Sequence, residues 1–160
     1  MRSTLLAILA LLTIGPAAIA AQFEKGGLVI TDPWTRATPG GATAGVGYLS
    51  ITNKGAAADR LMGGTIENAD KVEIHEMQMS GDRMTMRQLS DGLEIKPGET
   101  VTFSPGGYHL MFTGLKKPIV ENTEVKATLT FQNAGSIDVV FDAKSIGAMQ
   151  GSGTMHDHMQ

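Results

Sequence analysis

Residues 72–89 read VEIHEMQMSGDRMTMRQL. Around Ser80-Gly81 two short runs face each other, each alternating in side-chain character. Alternation of period two is the signature of a strand, and a small turn between two such runs is the signature of a hairpin. A two-residue loop centred on Ser80-Gly81 predicts His75 opposite Met86 and Met77 opposite Met84. Directly opposed side chains carry Cβ atoms about 4.5–5.5 Å apart. A four-residue loop shifts the partners but keeps His75 and Met86 on one face. A three-residue loop puts them on opposite faces.

Outward from this hairpin the chain repeats the same grammar. Residues 28–34 read as a strand ending near Pro33, and residues 45–53 (GVGYLSITN) alternate up to the turn Asn53-Lys54-Gly55. Further strands are expected over residues 61–66, 93–95, 101–103, 109–112, 124–131 and 137–141. Asp91-Gly92, Pro97-Gly98, Pro105-Gly106-Gly107 and Asn133-Ala134-Gly135 punctuate them. No long window repeats apolar residues at helical spacing. Many short strands at this spacing predict an all-β domain, an antiparallel sandwich or Greek-key barrel.

The ends have a different character. Residues 1–20, MRSTLLAILALLTIGPAAIA, place Arg2 before an apolar run and small residues at 18–20. This predicts a secretory signal peptide, cleaved after Ala20. The apolar run is shorter than the ~20 residues a bilayer span requires, so membrane insertion is not expected. The domain is expected over residues 22–144. Residues 145–160 are expected to be a flexible tail ending in MHDHMQ.

Composition narrows the function. Thirteen basic residues stand against 16 acidic ones, with no basic run, which argues against a nucleic-acid partner. There is no cysteine. That removes thiol nucleophiles, zinc–thiolate sites, blue copper and a lipidated cysteine. Without disulfides the domain relies on its core, and a chain of this length buries roughly two-thirds of its unfolded surface.

All four histidines lie within two residues of a methionine. His109 and Met111, two apart in a strand, share a face. His75, Met86, His109 and Met111 can therefore converge from three strands. Thioethers are soft and neutral, and with imidazole they select Cu(I) over Mg, Ca or Mn. Zinc prefers thiolate, imidazole or carboxylate. Met77, Met79 and Met84 have two readings, packing or a soft sleeve near the metal, and Met62 reads as core filler. Trp34 and Tyr48 read as packing, Tyr108 as either a shield for the site or core filler, Glu73 and Glu76 as a solvated edge. A non-haem iron oxygenase built on His75, His109 and Glu73 leaves Met86 and Met111 unexplained. A plain adhesive sandwich leaves all four unexplained. No Ser/His/Asp set or acid pair stands out, and a binding protein rather than an enzyme is expected.

The order His, ten residues, Met, twenty-two residues, His-x-Met resembles the periplasmic copper chaperones called PCu(A)C. These are implicated in copper delivery to the CuA site of cytochrome c oxidase. The likeness extends through Asp32, Trp34, Arg36, Pro39, Tyr48-Leu49 and Asn53, and is strongest in GGYHLM at residues 106–111. It implies a monomeric, cupredoxin-like β-sandwich in the periplasm with an exposed Cu(I) site at His75, Met86, His109 and Met111. It also implies a partner that accepts copper, such as oxidase subunit II or a Sco-type protein. Buffering of copper for tolerance is the alternative role. Some members carry a His/Met-rich tail, which Met155, His156, His158 and Met159 resemble. Imidazoles flanking Asp157 suit Cu(II), and the thioethers suit Cu(I).

Overall fold

The computed structural model describes residues 21–149. Eleven strands and no helix make up these residues. They are β1 (Gln22–Lys25), β2 (Leu28–Arg36), β3 (Ala44–Asn53), β4 (Asp59–Ile66), β5 (Ala69–Ser80) and β6 (Arg83–Gln88). β7 (Leu93–Ile95), β8 (Thr100–Thr102), β9 (Tyr108–Thr113), β10 (Glu124–Phe131) and β11 (Gly135–Lys144) follow. Hydrogen-bonded neighbours run β2-β11-β10-β4-β5-β9-β3 and back to β2, a closed barrel. β1, β6, β7 and β8 are appended to its strands. Closure removes most free sheet edges, the usual liability of a β protein. All pairings in the ring are antiparallel except β11 with β2.

Alternation sends one side chain in two to the interior. Leu110 and Phe112 of β9, Ile74 of β5, Leu129 of β10 and Phe141 of β11 are buried there. Phe112 and Phe141 meet edge to face at 5.5 Å between centroids. Gly47 makes room for them, since a Cβ at that position would lie 2.4 Å from Phe112 Cζ. Each fully buried large apolar side chain contributes about 1.5–3 kcal/mol. Together they replace the disulfides the chain lacks.

β2 does not stop at Pro33, as the sequence reading has it. Asp32 and Pro33 form a bulge against Leu49, and the register shifts between Thr31 and Trp34. Asp32 takes a positive φ of 51° there. An inserted residue reverses the facing of everything beyond it. Leu28 and Ile30 therefore point inward, while Trp34 emerges on the outer face opposite Tyr48. The two rings stack at 4.5 Å and form a separate apolar cluster with Ala148. Arg36 Nε donates to the Ala148 carbonyl at 2.8 Å, fixing residues 145–149 against this face. Met62 is not core filler, being 47% exposed on the outer side of β4. β1, which the sequence reading does not contain, has one apolar residue in four (Phe23) and forms by pairing back onto β2 through Gly26-Gly27.

Candidate metal centre

The β5–β6 hairpin forms over the expected residues, with its turn one residue further along. Gly81 and Asp82 are the two loop residues, and Gly81 has φ 62°. Positive φ at the first loop position is the reason glycine sits there. The register follows: Met77 faces Met86, Met79 faces Met84, and His75 faces Gln88. The expected direct pairs of His75 with Met86 and of Met77 with Met84 are therefore each displaced by two residues. An even slip preserves facing, so His75, Met77, Met79, Met84 and Met86 share one side. Glu76, Gln78, Thr85 and Arg87 occupy the other, where Arg87 pairs with Glu76 at 2.8 Å.

β9 lies on the opposite side of β5 and adds the second histidine. His75 is directly across from His109, and Glu73 across from Met111. The turn before β9 is made by Gly106-Gly107, with Gly106 at φ 87°. The Gly107 carbonyl accepts from the Met77 amide at 3.1 Å, tying the turn to β5. His75 and His109 are 8% and 6% exposed, with ring centroids 5.6 Å apart. Tyr108 points to the other side and packs against the core beside Phe103. It is core filler, not a shield.

The ring nitrogens are differentiated by their surroundings. His75 Nε2 lies 3.1 Å from Glu73 Oε2. Glu73 Oε1 is paired with the Lys71 ammonium. The Lys71 hydrogen bond holds the Glu73 carboxyl below its ordinary range against the opposing effect of burial, and the hydrogen bond from His75 adds a smaller contribution in the same direction as Lys71. Glu73 is thus an ionised acceptor that keeps the proton of His75 on Nε2. His75 Nδ1 is buried and has no hydrogen-bond partner. An unpaired buried imidazole lone pair costs free energy and is available to a cation. His109 Nδ1 faces the Gly107 carbonyl at 3.4 Å, and His109 Nε2 lies 3.3 Å from Met86 Sδ. Burial, more than any other effect, pushes the His109 pKa down. Its ring is therefore neutral at pH 7.

These spacings can be tested against a d10 ion. Tetrahedral nitrogen and sulfur ligands at roughly 2.0 and 2.3 Å, the zinc values, stand about 3.5 Å apart. Two imidazoles on the same ion have centroids on the order of 5 Å apart. The observed 3.3 and 5.6 Å are close to both. Among the described residues no three His, Cys, Asp or Glu side chains group as a metal site. A cation held here has to recruit thioethers. Met86 is half-exposed, so the cluster opens to solvent. Met111 is half-buried on the same face, next to the concavity lined by Arg36, Thr38, Val46 and Ile146. Met155, His156, His158 and Met159 lie outside the described residues.

Glu73, which the sequence reading placed on a solvated edge, lies instead within hydrogen-bonding distance of His75. Its signal was present, because residues two apart in a strand share a face.

Comparisons with known proteins bear on the fold and the family. The model of one protein family, described as "Putative lipoprotein LpqE-like", matches residues 28–143. A protein of Leifsonia xyli subsp. xyli named "Putative lipoprotein Lxx21020" is 29% identical over 121 residues, covering 76% of this chain and 72% of the relative. Among solved structures, the apo PCuAC domain of PmoF2 superposes with TM-score 0.67 at 24% identity, covering 81% of this chain and 98% of that domain. The copper-bound PCuAC domain of PmoF2 gives 0.66 at 24% identity, with 78% and 98% covered. The Cu(I) form of DR1885 from Deinococcus radiodurans gives 0.59 at 24%, with 79% and 81% covered. The expected all-β, cupredoxin-like architecture is the one these domains share.

Proposed function

The chain belongs to the LpqE-like family, which is the PCuAC family, and on that premise we propose that it is an exported copper chaperone. It binds Cu(I) through His75 Nδ1, His109 Nε2, Met86 Sδ and Met111 Sδ, and passes the ion to an accepting protein. The observation that carries the reading is the 3.3 Å approach of Met86 Sδ to His109 Nε2 beside an unpartnered His75 Nδ1. Two of the solved domains of this fold are described as copper-bound and as the Cu(I) form.

The ligand set is neutral, so the bound ion keeps its single charge and the site favours Cu(I) over Cu(II). Release is ligand exchange, with no electron transferred. An acceptor thiolate, softer and charged, displaces a thioether first, and half-exposed Met86 is the ligand it reaches. The acceptor is the CuA domain of cytochrome c oxidase or a Sco-type assembly protein. Export is in keeping with the leader-like residues 1–20 and with the lipoprotein names of the family and of its relative. No cysteine lies within these 160 residues to carry a lipid, and among the described residues no helix is long and apolar enough to cross a membrane. The tail residues Met155, His156, His158 and Met159 capture copper in addition, with Cu(II) on the imidazoles.

A transfer assay separates delivery from buffering. The Cu(I)-loaded protein is mixed with the apo CuA domain, with and without a Sco-type thiol protein, and metal is followed in both. Transfer within seconds to minutes supports delivery. Retention of Cu(I) until the protein unfolds, with either acceptor, contradicts it and favours storage.

A further inference from the structure

The outer half of the β5–β6 hairpin is unused by the site described above. Beyond Met86, the side bearing the histidines consists of Met77, Met79 and Met84. Met79 is 60% exposed and Met84 is 51% exposed, directly opposite each other near the Gly81-Asp82 turn. Met77 is half-buried opposite Met86. The packing explanation fails for Met79 and Met84, which bury little. A need for apolar surface alone does not account for them either. Strands favour Val, Ile, Phe and Tyr, yet every apolar side chain of this hairpin face is a thioether. The polar side of the same hairpin contains none.

Opposed thioethers at about 4.5–5.5 Å between Cβ atoms, on long side chains with three rotatable bonds, can close on one ion. Three such donors are soft and neutral, which selects a monovalent soft cation. We propose that Met77, Met79 and Met84 form a second site for Cu(I) or Ag(I), on the two rungs outward from the histidine pair. It binds more weakly than the inner site, because it lacks imidazole and is more open to water. The existence of this site does not depend on the inner one. Its use as an entry step does rest on the proposed inner site: Met77 opposes Met86, whose sulfur already touches His109.

The test is a titration of the full chain, carrying carbon-13 methyl-labelled methionine, with Ag(I) in chloride-free buffer. The Met86 and Met111 methyls are expected to move with the first equivalent, and those of Met77, Met79 and Met84 with the second. The Met79→Leu/Met84→Leu variant keeps apolar area and volume but removes two sulfurs. It is expected to leave the first equivalent unchanged and to abolish the second step at Met77. The His75→Ala/His109→Ala variant is expected to lose the first step and keep the second, so failure of one site is distinguishable from failure of the other. The proposal is overturned if the Met79 and Met84 methyls stay in place through two equivalents. It is equally overturned if the double leucine variant retains the second step at Met77, or if only the Met155 and Met159 methyls respond. An apolar docking surface alone would give the first of these results.

Discussion

Replacing Glu73 with alanine should weaken Cu(I) binding without unfolding the barrel. The Glu73 carboxylate accepts from His75 Nε2 at 3.1 Å and is itself held by Lys71. Its side chain is only 14% exposed, so water replaces it poorly. A hydrogen bond involving a charged group is worth about 1.5–3 kcal/mol, and here it decides which nitrogen of His75 presents a lone pair. Removing such an orienting partner typically lowers metal affinity about 10–100-fold, which corresponds to roughly 1.4–2.8 kcal/mol. The assay is competition for Cu(I) against a chromophoric chelator, beside thermal unfolding of the metal-free protein. Glu73→Gln, which still offers an oxygen to Nε2–H, should recover part of the loss. An E73A affinity within about twofold of the parent would refute the reasoning. So would equal losses in E73A and E73Q, because the effect would then not follow the hydrogen bond.

Three further outcomes follow from particular contacts. Burial holds the His109 pKa below the ordinary value of about 6.5; the unfolded chain therefore takes up a proton that the fold refuses. The metal-free fold should keep its full stability above that value, as far as this residue is concerned, and lose it as pH falls towards the lower native pKa; denaturant midpoints between pH 8 and 5, compared with His109→Gln, check this. Gly47→Ala drives a Cβ into the Phe112 ring, 2.4 Å from Cζ, and should cost about 1–3 kcal/mol, read as a lowered Tm. Truncation after Thr154 should leave Cu(I) affinity at the inner site nearly intact but reduce Cu(II) uptake, seen by calorimetry and by loss of nitrogen coupling in the spin-resonance spectrum.

The parts of the fold legible in the sequence were those governed by side-chain alternation. The hairpin, its two-faced character and the shared face of His109 and Met111 follow from period two alone. The pairing of individual residues did not, because it depends on which two residues occupy the turn. Gly81-Asp82 rather than Ser80-Gly81 moved His75 from Met86 to Gln88. The even slip is why the same residues still ended on one side. Pro33 read as a strand end because proline removes a ladder donor. The bulge accommodates it, and its reversal of facing brings Trp34 outside, against Tyr48, rather than into the core. Glu73 read as solvated because strand period shows which face a residue shares but not which hydrogen bond it makes. Ring closure, with β11 parallel to β2, is a long-range pairing that no local pattern encodes.

X-ray absorption at the copper edge, on the protein loaded with Cu(I) to less than one equivalent, tests the central claim most directly. The account predicts a mixed first shell of two nitrogen and two sulfur scatterers, with the sulfur contribution lost in a variant that combines Met86→Leu/Met111→Leu with Met79→Leu/Met84→Leu. A shell of nitrogen and oxygen alone, or a sulfur contribution unchanged in that variant, would contradict it.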